Sequence, residues 1–213
     1  IDGCKQVVEN YKPTIDIDPI WEMVELGNVC VINPKKSEIK DLDDKTHVSF
    51  VPMEVVEENN KSFVVKESKE LGDVYKGYTY FRNNDVLVAK VTPCFENGKS
   101  AIASNLDNGI GFGSSEFIVL RSTERVLPDW LYINIITNRF RKLGVESFTG
   151  TSGLRRVPKD FVEKYKIPLP SIDIQNQIIC KIEQERKVIE GNARLIEIYT
   201  QKIQDRINKV WGE

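Results

Sequence analysis

At 213 residues, 40% of them hydrophobic, the chain is long enough for one packed domain or one domain with an appendage, and its composition excludes a disordered polymer. Thirty Lys and Arg against 32 Asp and Glu give a formal net charge of −2, which excludes a uniformly basic nucleic-acid coat. The charge is uneven, however: Arg139 to Lys166 holds eight basic residues and three acidic ones, and Asp41 to Glu70 eight acidic and four basic, so a local phosphate-binding face stays open.

In chain order, residues 1–20 read as a linker without a helical face, marked by Gly3, Pro13 and Pro19. Trp21 to Ile32 predicts a turn and then a strand, stopped by Asn33-Pro34. Lys35 to Lys45 is a charged loop. Thr46 to Val56 is β-branched and partly alternating, hence a strand, with Pro52 marking an edge or a strand end. Ser62 to Val65 predicts another short strand, and Glu67 to Tyr75 irregular chain. Lys76 to Lys90 has the clearest β pattern, two apolar runs about a turn at Asn83-Asn84-Asp85. A second turn spans Thr92 to Lys99, followed by a short strand from Ser100 to Ala103. Gly109, Gly111 and Gly113 punctuate a loop, and Ser114 to Arg121 is a further strand. Leu127-Pro128 opens a helix from Asp129 to about Leu143.

The longest element is a C-terminal helix. Ser171 is placed to cap it and Asp173 lies at the positive end of its dipole. Isoleucines at 182, 189, 196 and 203, continued by Val210, repeat every seven residues, while Glu185, Asn192, Tyr199 and Arg206, three further on, are mostly polar. A rod of about forty residues reaches about 60 Å at 1.5 Å per residue and needs a partner for its apolar stripe. The fold class is therefore α+β: a mixed, mostly-β domain over 21–170, then a coiled-coil arm over 171–213.

Cys4, Cys30, Cys94 and Cys180 have no C-x-x-C spacing and His47 is the one histidine, so spacing supports no zinc site; reduced thiols in a cytoplasmic protein are the expectation. No apolar run approaches membrane-span length and no signal peptide is visible. The chain begins at Ile1 rather than Met, which points to a piece of a longer protein.

Several stretches, taken in order, resemble the specificity subunits of type I restriction–modification systems, specifically one half of such a subunit. Trp21-Glu22 with Leu26-Gly27 resembles the opening of a target recognition domain. Asn84-Asp85-Val86-Leu87-Val88 resembles a G-D-I-L segment with Asn84 in place of Gly. Gly98-Lys99, Ser115-Glu116-Phe117 and Gly150 to Val157 follow in the family's order. Ile167-Pro168-Leu169-Pro170, with Gln175 and Ile178, looks like its proline-to-helix junction; Ser171 stands where a third Pro is common and Ile174 where Glu precedes the Gln. The resemblance runs from Trp21 to Trp211. It implies a DNA-reading domain, a spacer helix that pairs with a second helix and docks methyltransferase subunits, and a separate restriction or motor subunit. S-adenosylmethionine and ATP would belong to those partners, leaving this chain without a cofactor. Specificity subunits usually hold two such halves, so the chain is expected to be either a half-subunit that self-associates or part of a longer protein, including a fused restriction–methyltransferase polypeptide; Gly3 to Pro13 resembles the connector in such fusions.

No Ser/His/Asp set, P-loop or N-P-P-[FYW] signature is present. Asp85, Glu96 and Lys99 could form a metal-dependent nuclease set, the alternative from another class; turn residues of a β domain are the plain reading. A scaffold or coiled-coil adaptor is a third reading. Reading DNA needs cations for phosphates and amides, hydroxyls or arginine forks for base edges. Thr149, Thr151 and Ser152 with two glycines let backbone approach DNA, and Arg155 and Arg156 supply two forks. Lys76 and Tyr78 alternate along a strand; Lys90, Thr92, Phe95, Asn97 and Lys99 cluster at a turn; Ser114 and Ser115 either meet a base edge or begin a strand. Ile182, Ile189, Ile196, Tyr199, Ile203 and Val210 are the expected helix interface.

Overall fold

The computed structural model describes residues 15–151 and 153–211. Most of the expected N-terminal linker, and Ser152, lie outside the described residues. The chain divides into two compact units, residues 18–175 and residues 1–17 with 176–213.

The first unit is rich in short strands: β1 (Glu22–Glu25), β2 (Cys30–Ile32), β3 (His47–Val51), β4 (Glu67–Glu70), β5 (Thr79–Arg82), β6 (Val86–Ala89), β7 (Ser100–Ile102), β8 (Ile110–Gly113), β9 (Phe117–Ser122), β10 (Thr149–Thr151), β11 (Leu154–Arg156) and β12 (Lys166–Leu169). Among the described residues four short α-helices accompany them: α1 (Leu71–Val74), α2 (Pro128–Ile135), α3 (Asn138–Glu146) and α4 (Lys159–Lys164). The long helix, α5, runs Ile172–Trp211. A mixed, sheet-rich domain followed by one long helix is the observed architecture.

Two four-stranded sheets form the body, one ordered β2-β9-β6-β7 and the other β4-β3-β8-β5; two-stranded ladders β1-β12 and β10-β11 complete it. Only the β3–β8 pairing among these is parallel. Val51 and Phe81 of the second sheet pack with Leu87, Ala101, Phe117 and Val119 of the first, so the core lies between the sheets. The far face of the second sheet is covered by Ile39 and by Leu71 and Val74 of α1. Helix α2 packs on β6, β7 and β9. Strand β6 is thus buried on both sides, which explains why Val86-Leu87-Val88-Ala89 is unbrokenly apolar rather than alternating.

Several elements differ from the sequence expectations. β5 and β6 do not pair with each other: the turn at Asn83-Asn84-Asp85 is a corner that takes the chain from one sheet to the other. Asn84 adopts φ 71°, and the Asp85 carboxylate accepts the Arg82 amide at 2.7 Å. The glycine segment expected as a loop is strand β8. A Cβ on Gly111 would overlap the Phe81 ring, and one on Gly113 would overlap the Val51 carbonyl, so glycine is what allows the neighbours to approach. Ser62–Val65 forms no strand, and Val64 is 74% exposed, whereas Glu67–Glu70 pairs with β3. Pro52 ends β3, which is an inner strand rather than an edge. The expected single helix from Asp129 is two, because Thr137 turns extended and its hydroxyl accepts the Phe140 amide at 3.2 Å, capping α3. Ser171 caps α5 as expected, through the Ile174 amide at 3.4 Å.

The two sheets are clipped at the corner. Asp85 is 1% exposed and takes Nε and Nη2 of Arg121 at 2.8 and 2.7 Å; Nη1 of Arg121 reaches Glu38 at 2.6 Å. The Tyr80 hydroxyl donates to the same Glu38 oxygen at 3.2 Å. Removing one partner of a buried pair strands the other charge, so Asp85→Ala is expected to lose about 3–5 kcal/mol of unfolding free energy in urea titrations at neutral pH; a loss below about 1 kcal/mol would show that the clip contributes little.

Candidate nucleic-acid interface

Three segments far apart in sequence meet at the end of the first sheet. The Lys90 amide donates to the Glu116 carbonyl at 2.9 Å, the Val157 amide to the Lys90 carbonyl at 2.9 Å, and the Thr92 amide to the Arg155 carbonyl at 3.0 Å. Val91 forms an isolated bridge with Arg156. The β10–β11 hairpin is thereby annexed to the chain leaving β6. Within it Thr149 faces Arg156 and Thr151 faces Leu154, so these side chains share one face while Arg155 lies on the other, opposite Gly150. Gly150 has φ 117°, and a Cβ there would press on the Leu154 carbonyl. Thr149 and Thr151 are exposed.

The two arginine forks are held differently. Arg156 places Nε 2.9 and 3.1 Å from the Glu116 carboxylate oxygens and Nη2 at 2.6 Å, with 40% of its side chain still exposed. Arg155 is 3.9 Å from Glu96 and lies over the Phe148 ring at 5.2 Å. Lys90 Nζ donates to the Ser115 carbonyl at 2.9 Å and stands 3.9 Å from Glu116. The hydrogen bond from Arg156, with help from Lys90, holds the Glu116 carboxyl below the usual carboxylate range against the opposing effect of burial.

The neighbouring turn is less free than its polar sequence implies. Phe95 is 3% exposed and packs on Phe140 and Phe148, both at 5.7 Å, so it is core rather than a contact residue. Asn97 donates to Glu58 at 2.6 Å and Lys99 to the Met53 carbonyl at 3.4 Å. Arg141 of α3 lies against Gly98 and bonds Asn59, fastening the turn. Tyr78 and Ser114 each lie one residue beyond the last β5–β8 pair, Thr79 with Gly113. Tyr78 packs edge-on against Phe50 at 4.9 Å and stays 37% exposed, and Lys76 is exposed two residues earlier. Ser114 Oγ accepts the Glu116 amide at 3.2 Å, which makes it a turn former ahead of β9.

Of the sequence candidates, Lys90, Thr92, Ser115, Arg155 and Arg156 come together directly, and Asn97 and Lys99 sit on the adjoining turn. Sequence spacing does not mark Glu116, Glu96 and Arg141 as partners of the arginines and the turn, because their role depends on contacts between distant segments. Asp85, Glu96 and Lys99 do not assemble as a nuclease set: Asp85 precedes β6 and is consumed by Arg121, whereas Glu96 and Lys99 follow its other end. Among the described residues no group of three His, Cys, Asp or Glu is placed to hold a metal ion, and no helix is long and apolar enough to cross a membrane. The buried Cys30 thiol is pushed up to about 12 by its surroundings.

On α5, Ile182 is buried, and Ile189 and Ile196 are half-buried. Tyr199, Ile203 and Val210 are 57%, 47% and 72% exposed. The row that accompanies the isoleucines in partial burial lies four residues on rather than three: Arg186 and Ala193 are half-buried, whereas Glu185 and Asn192 are exposed.

The family described as "Type I restriction modification DNA specificity domain" matches residues 20–198. The chain is 38% identical over 180 residues to the type I restriction enzyme EcoAI specificity subunit of Escherichia coli, covering 84% of this chain and 30% of that one. It is 36% identical over 175 residues to the EcoEI specificity subunit of the same organism, covering 82% and 29%. It therefore spans less than a third of the curated relatives it matches. Among solved structures, a chain from work on assembly and conformational transition of the type I R-M system aligns with TM-score 0.73 at 20% identity, over 93% of this chain and half of that one. The HsdS subunit of Thermoanaerobacter tengcongensis aligns with TM-score 0.68 at 18% identity, with the same coverage.

The Glu116–Arg156 pair has a measurable acid signature. Because the folded-state pKa of Glu116 is depressed, its contribution to stability is full above the unfolded value of about 4.3 and is lost as pH falls through the folded one. In carbon-detected titration the Glu116 carboxyl is expected to change below pH about 4.3, and Arg156→Ala to move that midpoint upward; an unmoved midpoint would show that the pair does not form in solution.

Proposed function

The chain belongs to the type I restriction modification DNA specificity domain family, and from that premise we propose that it is a non-catalytic reader of double-stranded DNA sequence. Residues 21–170 read one half of a bipartite target, and residues 171–213 form an arm that pairs with a second recognition half and docks methyltransferase subunits. The methyl donor and the ATP-driven restriction or motor subunit belong to those partners, and the whole works in the cytoplasm. The observation that carries this reading is the joining of Lys90, Thr92, Ser115, Arg155 and Arg156 at one end of the first sheet, by backbone hydrogen bonds between segments far apart in sequence. Lys90, the exposed Ser115 and the Arg156 guanidinium then stand together, with Arg155 on the opposite face of the hairpin and the Thr92 hydroxyl buried beneath; cations for phosphates and a fork and a hydroxyl for base edges are the set that phosphate positioning and base reading require. Lys76, Tyr78, Asn97, Lys99, Ser114, Thr149, Thr151 and Ser152 remain further candidates for DNA contact in this reading.

Two experiments test the two halves of this reading. Arg155→Ala with Arg156→Ala, in the complex with methyltransferase subunits, is expected to weaken duplex binding and to flatten its salt dependence by about one unit of slope per phosphate contact removed. Unchanged affinity and slope would leave the adaptor reading instead. Ile196→Asp, which puts a charge in the helix seam, is expected to abolish pairing in sedimentation or capture by methyltransferase subunits; full retention of both would remove the arm from the proposal.

A further inference from the structure

We propose that Glu116 is a positioning residue that turns Arg156 into an end-on reader of guanine; the inference rests on the DNA reading above. The carboxylate occupies the side edge of the guanidinium, taking Nε at 2.9 and 3.1 Å and Nη2 at 2.6 Å. The outward edge remains, where Nη1 and the second N–H of Nη2 point in parallel. With 40% of its side chain exposed, Arg156 is not sealed from solvent by this pairing. Two parallel donors match the adjacent O6 and N7 acceptors that guanine shows in the major groove.

A phosphate could also take two parallel donors, but the charges decide between them. Glu116 neutralises Arg156, so an approaching phosphate gains little from the pair and meets a carboxylate beside it. An uncharged base edge keeps the full hydrogen-bond geometry. Lys90 stands 3.9 Å from the same carboxylate and leaves the trio at one net positive charge, so the phosphate has a cation next to the reader. The backbone of the fork is fixed as well, since Arg156 bridges Val91 and the Thr92 amide bonds the Arg155 carbonyl. Glu116 thus acts through Arg156 by orientation and by charge.

The test is selection from a random duplex pool by the chain in complex with methyltransferase subunits, followed by sequencing of bound DNA. The unchanged chain is expected to enrich a motif containing guanine. Arg156→Lys keeps a charge but loses the fork, and Glu116→Gln frees it; both are expected to lower the preference for guanine at one and the same position by about tenfold. Glu116→Gln is expected to retain or increase its binding to the unselected pool, since an anion is removed. Glu116→Asp keeps the carboxylate and is expected to restore part of the guanine preference, with a melting temperature near that of the unchanged chain. Retention of the guanine preference in Glu116→Gln or Arg156→Lys overturns the proposal. So does a uniform loss at every motif position in both Glu116 variants, which is what a purely structural role would produce. If the unchanged chain enriches no motif, the DNA reading itself fails.

Discussion

The Asp85–Arg121 pair is the constraint from which the geometry of the domain follows. It sits where β5 hands the chain to β6, and its bidentate bond ties that corner to β9, the neighbouring strand of the same sheet, while Glu38 and Tyr80 draw in the second sheet. Strands β6 and β9 then run antiparallel away from the clip, and at their other end stand Lys90 and Glu116. The same two strands therefore carry an ion pair at each end. Burial assigns the roles: Asp85 is closed off from water and serves only the fold, whereas Arg156 on Glu116 keeps 40% of its side chain in solvent. A pair that is sealed cannot exchange partners with a ligand; one at the surface can.

What the sequence made legible follows from side-chain pattern, and what it hid follows from missing side chains and from tertiary pairing. The apolar runs of β5, β6 and β9 and the seven-residue repeat of α5 are patterns of large residues at fixed spacing, and each marks a real element. Strand β8 was hidden because Gly111 and Gly113 contribute no side chain to a period; their smallness makes room for Phe81, Phe117 and the Val51 carbonyl. Val64 beside Phe63 looked like a strand, yet Ser62–Val65 finds no ladder partner and β4 forms instead from the charged run Glu67–Glu70, a tertiary override of propensity. The site was visible in part. Arg155, Arg156 and Lys90 stand out by chemistry, but their meeting depends on Val91 annexing the hairpin, which no local pattern encodes. Glu116 is not marked as a partner by sequence, because a lone carboxylate shows no preference among distant arginines.

Gln175 shows why the junction before the long helix is chemically particular. Its side chain is fully buried, its oxygen accepts the Leu127 amide at 3.0 Å, and its nitrogen donates to the carbonyls of Arg125 and Pro170, both at 3.0 Å. One amide thus ties the chain entering α2 to the turn ahead of α5. A glutamate could accept but not donate, and would take this donor away from the Arg125 carbonyl and the buried Pro170 carbonyl. The Trp130 indole N–H, donating to the Pro168 carbonyl at 2.8 Å, secures the same proline stretch.

On α5 the rows at 182, 189, 196, 203 and 210 and at 186, 193, 200 and 207 alternate in steps of four and three, and they are apolar except at Arg186 and Thr200. Those two interruptions act as notches in an otherwise smooth key. An apolar surface laid along this stripe would have to leave room for the Arg186 guanidinium and the Thr200 side chain.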